Sequence, residues 1–219
     1  MNNTLKALFA AVTLAGASLA QAVSIPSSGV ADVSETPYSA NGGGEFLVEV
    51  SGYDSFYTFC VQRYETLSSL LDGTFNYTIS DSTSVGTHVK TAPINILSAG
   101  TVYLYRQFVA GALYDLGDAV SRKANSISLQ KAIWELEGEG AGLGQNAGNN
   151  SFLSTVYGMF GELGAKADSA DKTVKVMQLW DAQGNDLQDV LVYVPDSGST
   201  LALLGLGFVS FALIRRRVA

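Results

Sequence analysis

The hydrophobic pattern of this chain changes its period twice, and that change restricts the fold more than any other feature. Apolar and polar residues alternate towards both ends of the chain, as in strands, whereas apolar residues between them recur at helical spacing. The predicted strands cover residues 46–50, 56–61, 74–79, 173–180 and 187–194, and the predicted helices cover residues 102–117, 126–137 and, with a weaker pattern, 152–163. This order predicts a single α+β domain with strands at both ends and two to three helices between them.

Segments of different composition flank this predicted domain, which we place at residues 45–194. Residues 1–22 have the three parts of a secretory signal peptide, namely Lys6 as a positive start, an apolar run and a cleavage site of small residues. Residues 23–44 are rich in serine and glycine, which predicts a flexible leader or a loosely held first strand. Residues 195–219 differ again and form a separate tail.

The charge of the chain argues against a nucleic-acid partner. The net charge is −7, and four of the 13 basic residues lie in the two terminal segments, so the body between them is more acidic still. Proteins that bind nucleic acid need clustered Lys and Arg to displace counterions from phosphate. The acidity is better explained by solubility outside the cell.

The tail joins a short proline-containing motif to an apolar run at residues 201–214 and a cluster of arginines. Such a run is short for a bilayer core of about 30 Å, and the arginines favour a cytoplasmic location for its end. The three-part tail resembles the PEP-CTERM protein-sorting signal in its Val-Pro-Asp-Ser-Gly variant. The residues that carry this resemblance are Val194, Pro195, Asp196, Ser197 and Gly198 in the motif and Arg215, Arg216 and Arg217 in the cluster.

The resemblance implies a route for the protein through the cell envelope. It implies an inner-membrane precursor held by a C-terminal transmembrane helix, and recognition by an exosortase, which is a membrane-embedded cysteine protease. The body would then be released or transferred to the cell surface or extracellular matrix of a Gram-negative-type bacterium. The residues themselves leave a simple C-terminal membrane anchor as the alternative.

Cys60 is the only cysteine of the chain, so it cannot form an intramolecular disulfide. In an exported protein a single thiol is a disulfide to another molecule, a free reactive group, a buried spectator or one partner of a bond to something other than sulfur. An intermolecular disulfide has no support in the sequence.

Two short motifs suggest what the bond would be. Phe59 and Val61 flank Cys60 on a predicted strand, and Gln130 precedes Trp134 by one helical turn. The two motifs together resemble those of bacterial thioester domains, an aromatic-Cys-aliphatic strand and an aliphatic-Gln-x-x-aliphatic-Trp helix start. The resemblance implies a thioester between Cys60 and Gln130, supported by Trp134 and Phe59, that attaches the protein covalently to an amine-bearing surface or matrix protein in adhesion or biofilm.

Two other functions compete with this interpretation. The first is a non-covalent structural or binding module of the extracellular polysaccharide matrix, in which Cys60 is a small buried apolar residue and Gln130 has no chemical role. The second is a cysteine hydrolase with His88, the only histidine, as the base, but His88 lies in a turn-like stretch without an orienting partner. The sequence predicts no cofactor, no metal ligands and no enzymatic activity.

Overall fold

The computed structural model describes residues 25–39, 43–63, 73–84 and 95–194. Within these ranges strands lie at both ends of the chain and helices lie between them. The elements are β1 (Ser28–Glu35), β2 (Phe46–Glu49), β3 (Phe56–Thr58), β4 (Gly73–Ser80), α1 (Ala99–Val109), α2 (Ala119–Leu136), α3 (Ser151–Ala165), β5 (Val174–Trp180) and β6 (Val190–Tyr193). The mixed α+β class predicted from the hydrophobic periods is therefore confirmed, including the weaker third helix.

The six strands form one antiparallel sheet in the order β3-β2-β1-β4-β5-β6. The two outer strands approach each other, because Cys60, just beyond β3, forms a bridge with Val190 of β6. Two hydrogen bonds hold this contact, from the Leu191 N–H to the Phe59 carbonyl at 3.1 Å and from the Val61 N–H to the Asp189 carbonyl at 2.9 Å. The strongly twisted sheet is thus nearly closed into a barrel, which protects its edges.

Alternation along the strands divides the apolar residues between two cores. The first core is built almost entirely from strand residues and contains Val33, Val48, Phe75, Tyr77, Met177, Leu179 and Val190. The second lies between the helices and the strands at the closure and contains Phe59, Val61, Leu104, Ile133, Leu153, Val176 and Leu191. Cys60 belongs to the strand core, whereas its two neighbours belong to the helical core, so the thiol and the Phe59 ring lie on opposite sides of the sheet.

Of the two alternatives for residues 23–44, a flexible leader and a loosely held first strand, Ser28–Glu35 forms a strand. This strand pairs with β2 on one side and β4 on the other, and Ala31 and Val33 are buried. The sequence could not decide between the two alternatives because this stretch buries only two small apolar side chains, and its order comes from pairing on both edges. Gly43 and Gly44, also assigned to the leader, are buried against the rest of the domain.

Three predicted boundaries differ from the observed ones, at α1, α2 and β3. Helix α1, predicted over residues 102–117, ends at Val109 with Ala110 as its C-cap. Helix α2, predicted from residue 126, begins at Ala119 with Asp118 as its N-cap, so Ser126 is a buried residue inside the helix. The first turns carry no apolar stripe, and Val120 is 84% exposed, so hydrophobic spacing could not reveal them. Strand β3 ends at Thr58, and Cys60 makes its bridge to β6 instead of continuing the pairing with β2.

The Cys60 and Gln130 site

The closure of the sheet determines which way the main chain of Cys60 faces. In a strand, the N–H and C=O groups of successive residues point to opposite edges. The Phe59 carbonyl and the Val61 N–H point towards β6, so the N–H and C=O of Cys60, which lies between them, point away from β6. Cys60 is 0% exposed, so these two groups need partners inside the protein.

The carboxamide of Gln130 supplies both partners. The Cys60 N–H donates to Gln130 Oε1 at 2.9 Å, and Gln130 Nε2 donates to the Cys60 carbonyl at 2.8 Å. The structure therefore brings together the two residues that the sequence motifs single out, although 70 positions separate them. Gln130 is itself 1% exposed, so the pair lies in the interior, away from bulk water.

A second main-chain donor converges on the same oxygen. The Gly44 N–H also donates to Gln130 Oε1, at 3.4 Å, a longer bond than that from Cys60. Two backbone N–H groups aimed at one carbonyl oxygen form the kind of arrangement that stabilises negative charge developing on that oxygen. In this geometry two main-chain donors are directed at the carbonyl oxygen of the Gln130 carboxamide.

Gln130 belongs to a buried stripe along one face of α2. Residues four apart lie on the same face of a helix, and Arg122, Ser126, Gln130 and Trp134 are all buried. The chain at Gly43 crosses this stripe so closely that a Cβ there would lie 2.5 Å from a Trp134 ring atom and 2.9 Å from Gln130 Cγ. The predicted supporting residue Trp134 therefore covers the site together with Gly43.

Two polar atoms of this stripe are buried without a hydrogen-bond partner in the described part of the chain, the Trp134 indole nitrogen and the Ser126 hydroxyl. Trp134 nevertheless packs into the strand core, so its ring contributes apolar contact beside Cys60. An unpaired indole N–H has a cost of desolvation.

Phe59 supports the site from the other side of the sheet. Its ring packs edge-on against Phe108 of α1, with ring centroids 4.9 Å apart, and is fully buried in the helical core. Phe59 therefore anchors the strand that carries Cys60 and does not cover the thiol.

An ion pair beside the site was missed by the sequence analysis. The guanidinium of Arg122 binds both carboxylate oxygens of Glu45, and the two residues are 7% and 0% exposed. Arg122 also donates to the Leu116 carbonyl at 2.9 Å. Burial raises the pKa of Glu45, and the hydrogen bond and charge of Arg122 oppose that shift. The sequence did carry a signal for Arg122, because it begins a series of residues at four-residue spacing that continues through Ser126 to Gln130 and Trp134.

Burial also controls the chemistry of the thiol. Because the interior disfavours the charged thiolate, the pKa of Cys60 is raised far above its ordinary value. The thiol is therefore protonated at neutral pH. His88, the base considered for a cysteine hydrolase, lies outside the described residues.

Several other predicted residues also fall outside the described ranges. Val194 is the last described residue of the domain, and its N–H donates to the Thr173 carbonyl at 2.7 Å. The rest of the sorting signal, from Pro195 through the arginine cluster, and the signal peptide at residues 1–22 are not described.

In the described ranges no group of three His, Cys, Asp or Glu side chains is placed to hold a metal ion. None of the described helices has both the length and the apolar character that crossing a membrane requires.

Comparison with known proteins supports one of the two resemblances. Residues 193–218 match the family model of the VPDSG-CTERM motif. This match supports a PEP-CTERM-type sorting domain and is consistent with an exported protein that an exosortase processes. No curated protein and no solved structure matches the chain. The resemblance of the body to thioester domains therefore stays a prediction.

Proposed function

We propose that this chain is an exported protein, sorted by an exosortase, whose folded body forms a thioester between Cys60 and Gln130 and transfers the Gln130 acyl group to an amine-bearing partner. The observation that carries the proposal is the contact of the Gln130 carboxamide with the main chain of Cys60, with two N–H donors on its oxygen. The C-terminal sorting motif supports the export of the body.

The bond forms by exchange of nitrogen for sulfur on one carbon. The Cys60 thiol adds to the carboxamide carbon of Gln130, the carbon–nitrogen bond breaks, and the thiol proton leaves with the nitrogen as ammonia. Strand side chains stand roughly perpendicular to the plane of the main-chain hydrogen bonds, so we expect the sulfur to approach a face of the carboxamide. The N–H groups of Cys60 and Gly44 would hold the oxygen while it carries negative charge.

Burial explains how such a bond would survive outside the cell. Both residues are essentially inaccessible to solvent, and Trp134 and Gly43 cover the carboxamide. Exclusion of water slows hydrolysis of a reactive acyl group. The stored bond also protects the sulfur from oxidation to sulfenic acid and beyond whenever local opening exposes it.

Transfer to an amine uses the same acyl group once. A primary amine attacks the thioester carbon, the carbon–sulfur bond breaks, and an amide forms while Cys60 regains its proton. We infer that the protein is a reactant consumed in one event and not an enzyme. The partner would be a surface or matrix protein, and the product would be a covalent link between it and the body of this chain.

Incorporation of a small amine tests this function. The purified protein is incubated with methylamine, and peptide mass spectrometry locates the added group. We expect methylamine at Gln130 in the wild type and none in Cys60→Ala. Gln145 is a control within the same chain, because it lies in a loop and its amide binds the Leu143 carbonyl rather than Cys60. No incorporation at Gln130, or equal incorporation at Gln145, would contradict the proposal.

One observation favours a second function, a non-covalent structural or binding module of the matrix. The Gln130 carboxamide satisfies both buried main-chain groups of Cys60, which is a sufficient structural reason for a glutamine there. On this account Cys60 reacts as a free thiol with a maleimide once the chain is unfolded, and Cys60→Ala keeps its association with the matrix. A thioester instead requires that the unfolded chain react only after hydroxylamine has released the thiol.

A further inference from the structure

The buried ion pair of Glu45 and Arg122 lies next to the donor that completes the Gln130 oxygen site. Glu45 directly follows Gly44, whose N–H donates to Gln130 Oε1. The Glu45 carboxylate receives two bonds from Arg122, and its carbonyl accepts the Thr36 hydroxyl at 2.7 Å. The side chain and the main chain of Glu45 are thus both fixed. Gly44, the preceding residue, therefore has little freedom to move.

Arg122 is held as firmly as its partner. Its guanidinium lies 4.2 Å from the centre of the Tyr38 ring and 4.7 Å from that of Tyr57, and it also binds the Leu116 carbonyl. A planar guanidinium is suited to this combination of a bidentate carboxylate and flanking aromatic faces, and a lysine is not. The position of the Glu45 carboxylate is therefore dictated by α2 and its neighbours.

Stability alone is a weak explanation for this pair. Removing two charges from water has a large desolvation cost, and apolar residues of similar volume often replace a buried ion pair with no loss of stability. What the pair provides is a defined geometry. Arg122 and Gln130 lie on one face of α2, two turns or about 12 Å apart, so the helix sets the distance between the carboxylate anchor and the carboxamide.

We propose that the Glu45–Arg122 ion pair positions the Gly44 N–H on Gln130 Oε1, and that Arg122 and Glu45 are positioning residues for the thioester chemistry. This inference rests on the proposed thioester. The ion pair contacts neither the sulfur nor the carboxamide, and it acts by fixing the main chain one residue away. Without the ion pair, Gln130 Oε1 would keep the hydrogen bond from the Cys60 N–H and lose the one from the Gly44 N–H.

The test separates positioning from folding with an apolar replacement of the pair. In Glu45→Leu/Arg122→Met the two charges are removed together, so we expect the thermal midpoint to stay near that of the wild type. We expect the rate of methylamine transfer, per molecule that carries the thioester, to fall about tenfold or more, as for loss of an oxyanion donor. Arg122→Lys keeps the charge without the bidentate geometry, and we expect an intermediate fall.

Leu153→Ala is the matched control for stability. Leu153 is fully buried in the helical core on α3, so the substitution lowers the thermal midpoint without touching the Gly44 segment. We expect its transfer rate per thioester to equal that of the wild type. Wild-type rates in both the double variant and Arg122→Lys would overturn the positioning role and leave the thioester standing. A wild-type protein that has lost no ammonia would overturn the proposed function and the positioning role with it.

Discussion

The Gln130 side chain satisfies the main chain of Cys60, and the proposed thioester would use the same carboxamide. Its carboxamide replaces the neighbouring strand that Cys60 lacks on one edge, with one donor and one acceptor in the right order. The same contact places the carboxamide carbon beside the residue that bears the only thiol of the chain. A buried spectator cysteine needs the first property only, and the proposed thioester needs both.

Gly43→Ala tests how tightly the site is covered. The added Cβ would lie closer to Trp134 and Gln130 than side chains tolerate, so we expect a loss of about 1–3 kcal/mol in the free energy of unfolding. Urea denaturation measures this loss. Gly148→Ala is the control, because its Cβ would meet only the Asn146 side chain at 3.1 Å, and we expect a change below about 0.5 kcal/mol. Equal effects of the two substitutions would show that Gly43 does not pack against the site.

Among the secondary-structure elements, those that bury a continuous apolar face could be predicted from the sequence. The alternation before α1 and after α3 identified the five strands from β2 to β6, and helical spacing identified all three helices. Strand β1 was only one of two alternatives and the first turns of α2 were missed, because their order depends on partners distant in sequence, namely two neighbouring strands and the Glu45 carboxylate. The contact of Gln130 with Cys60 was predicted only through the motif resemblance, since no local pattern encodes a contact across 70 residues.

Helix α3 contains a pair of glycines whose substitutions should have opposite effects. Gly161 has φ of +70° and interrupts the helix, whereas Gly158 lies in the regular part with open space around it. Alanine is strained at positive φ and favoured inside a helix. We expect Gly161→Ala to lower the free energy of unfolding by about 1 kcal/mol and Gly158→Ala to raise it by about as much. Thermal or urea unfolding measures both, and stabilisation by Gly161→Ala would contradict the kink.

For the whole molecule, closure of the sheet links the site to global stability. Cys60 lies where the outer strands meet, so opening that contact exposes the thiol and the carboxamide together. The site is therefore intact only while the sheet is closed. The tail begins directly after this closure, because β6 ends at Tyr193 and the sorting motif matches from residue 193. Folding of the body and sorting of the tail thus concern adjoining parts of the chain.

The pH dependence of unfolding provides a test at this scale. Burial raises the pKa of Glu137, and its hydrogen bonds with Thr101 and Ser98 only partly oppose this shift. The folded state therefore binds the Glu137 proton more tightly than the unfolded state, so its contribution to stability falls as pH rises through the raised pKa. We expect Glu137→Gln to gain stability relative to the wild type as the pH rises through the raised pKa of Glu137. A difference between the two proteins that stays constant with pH would contradict this assignment.

The intact mass of the purified wild-type protein tests the central claim most directly. A thioester between Cys60 and Gln130 predicts a mass lower than that of the sequence by one ammonia, after allowance for removal of the signal peptide and tail. It also predicts that Cys60→Ala has the full mass expected for its own sequence. A wild-type mass with no such deficit would contradict the thioester, and Gln130 would then be the structural partner of the Cys60 main chain alone.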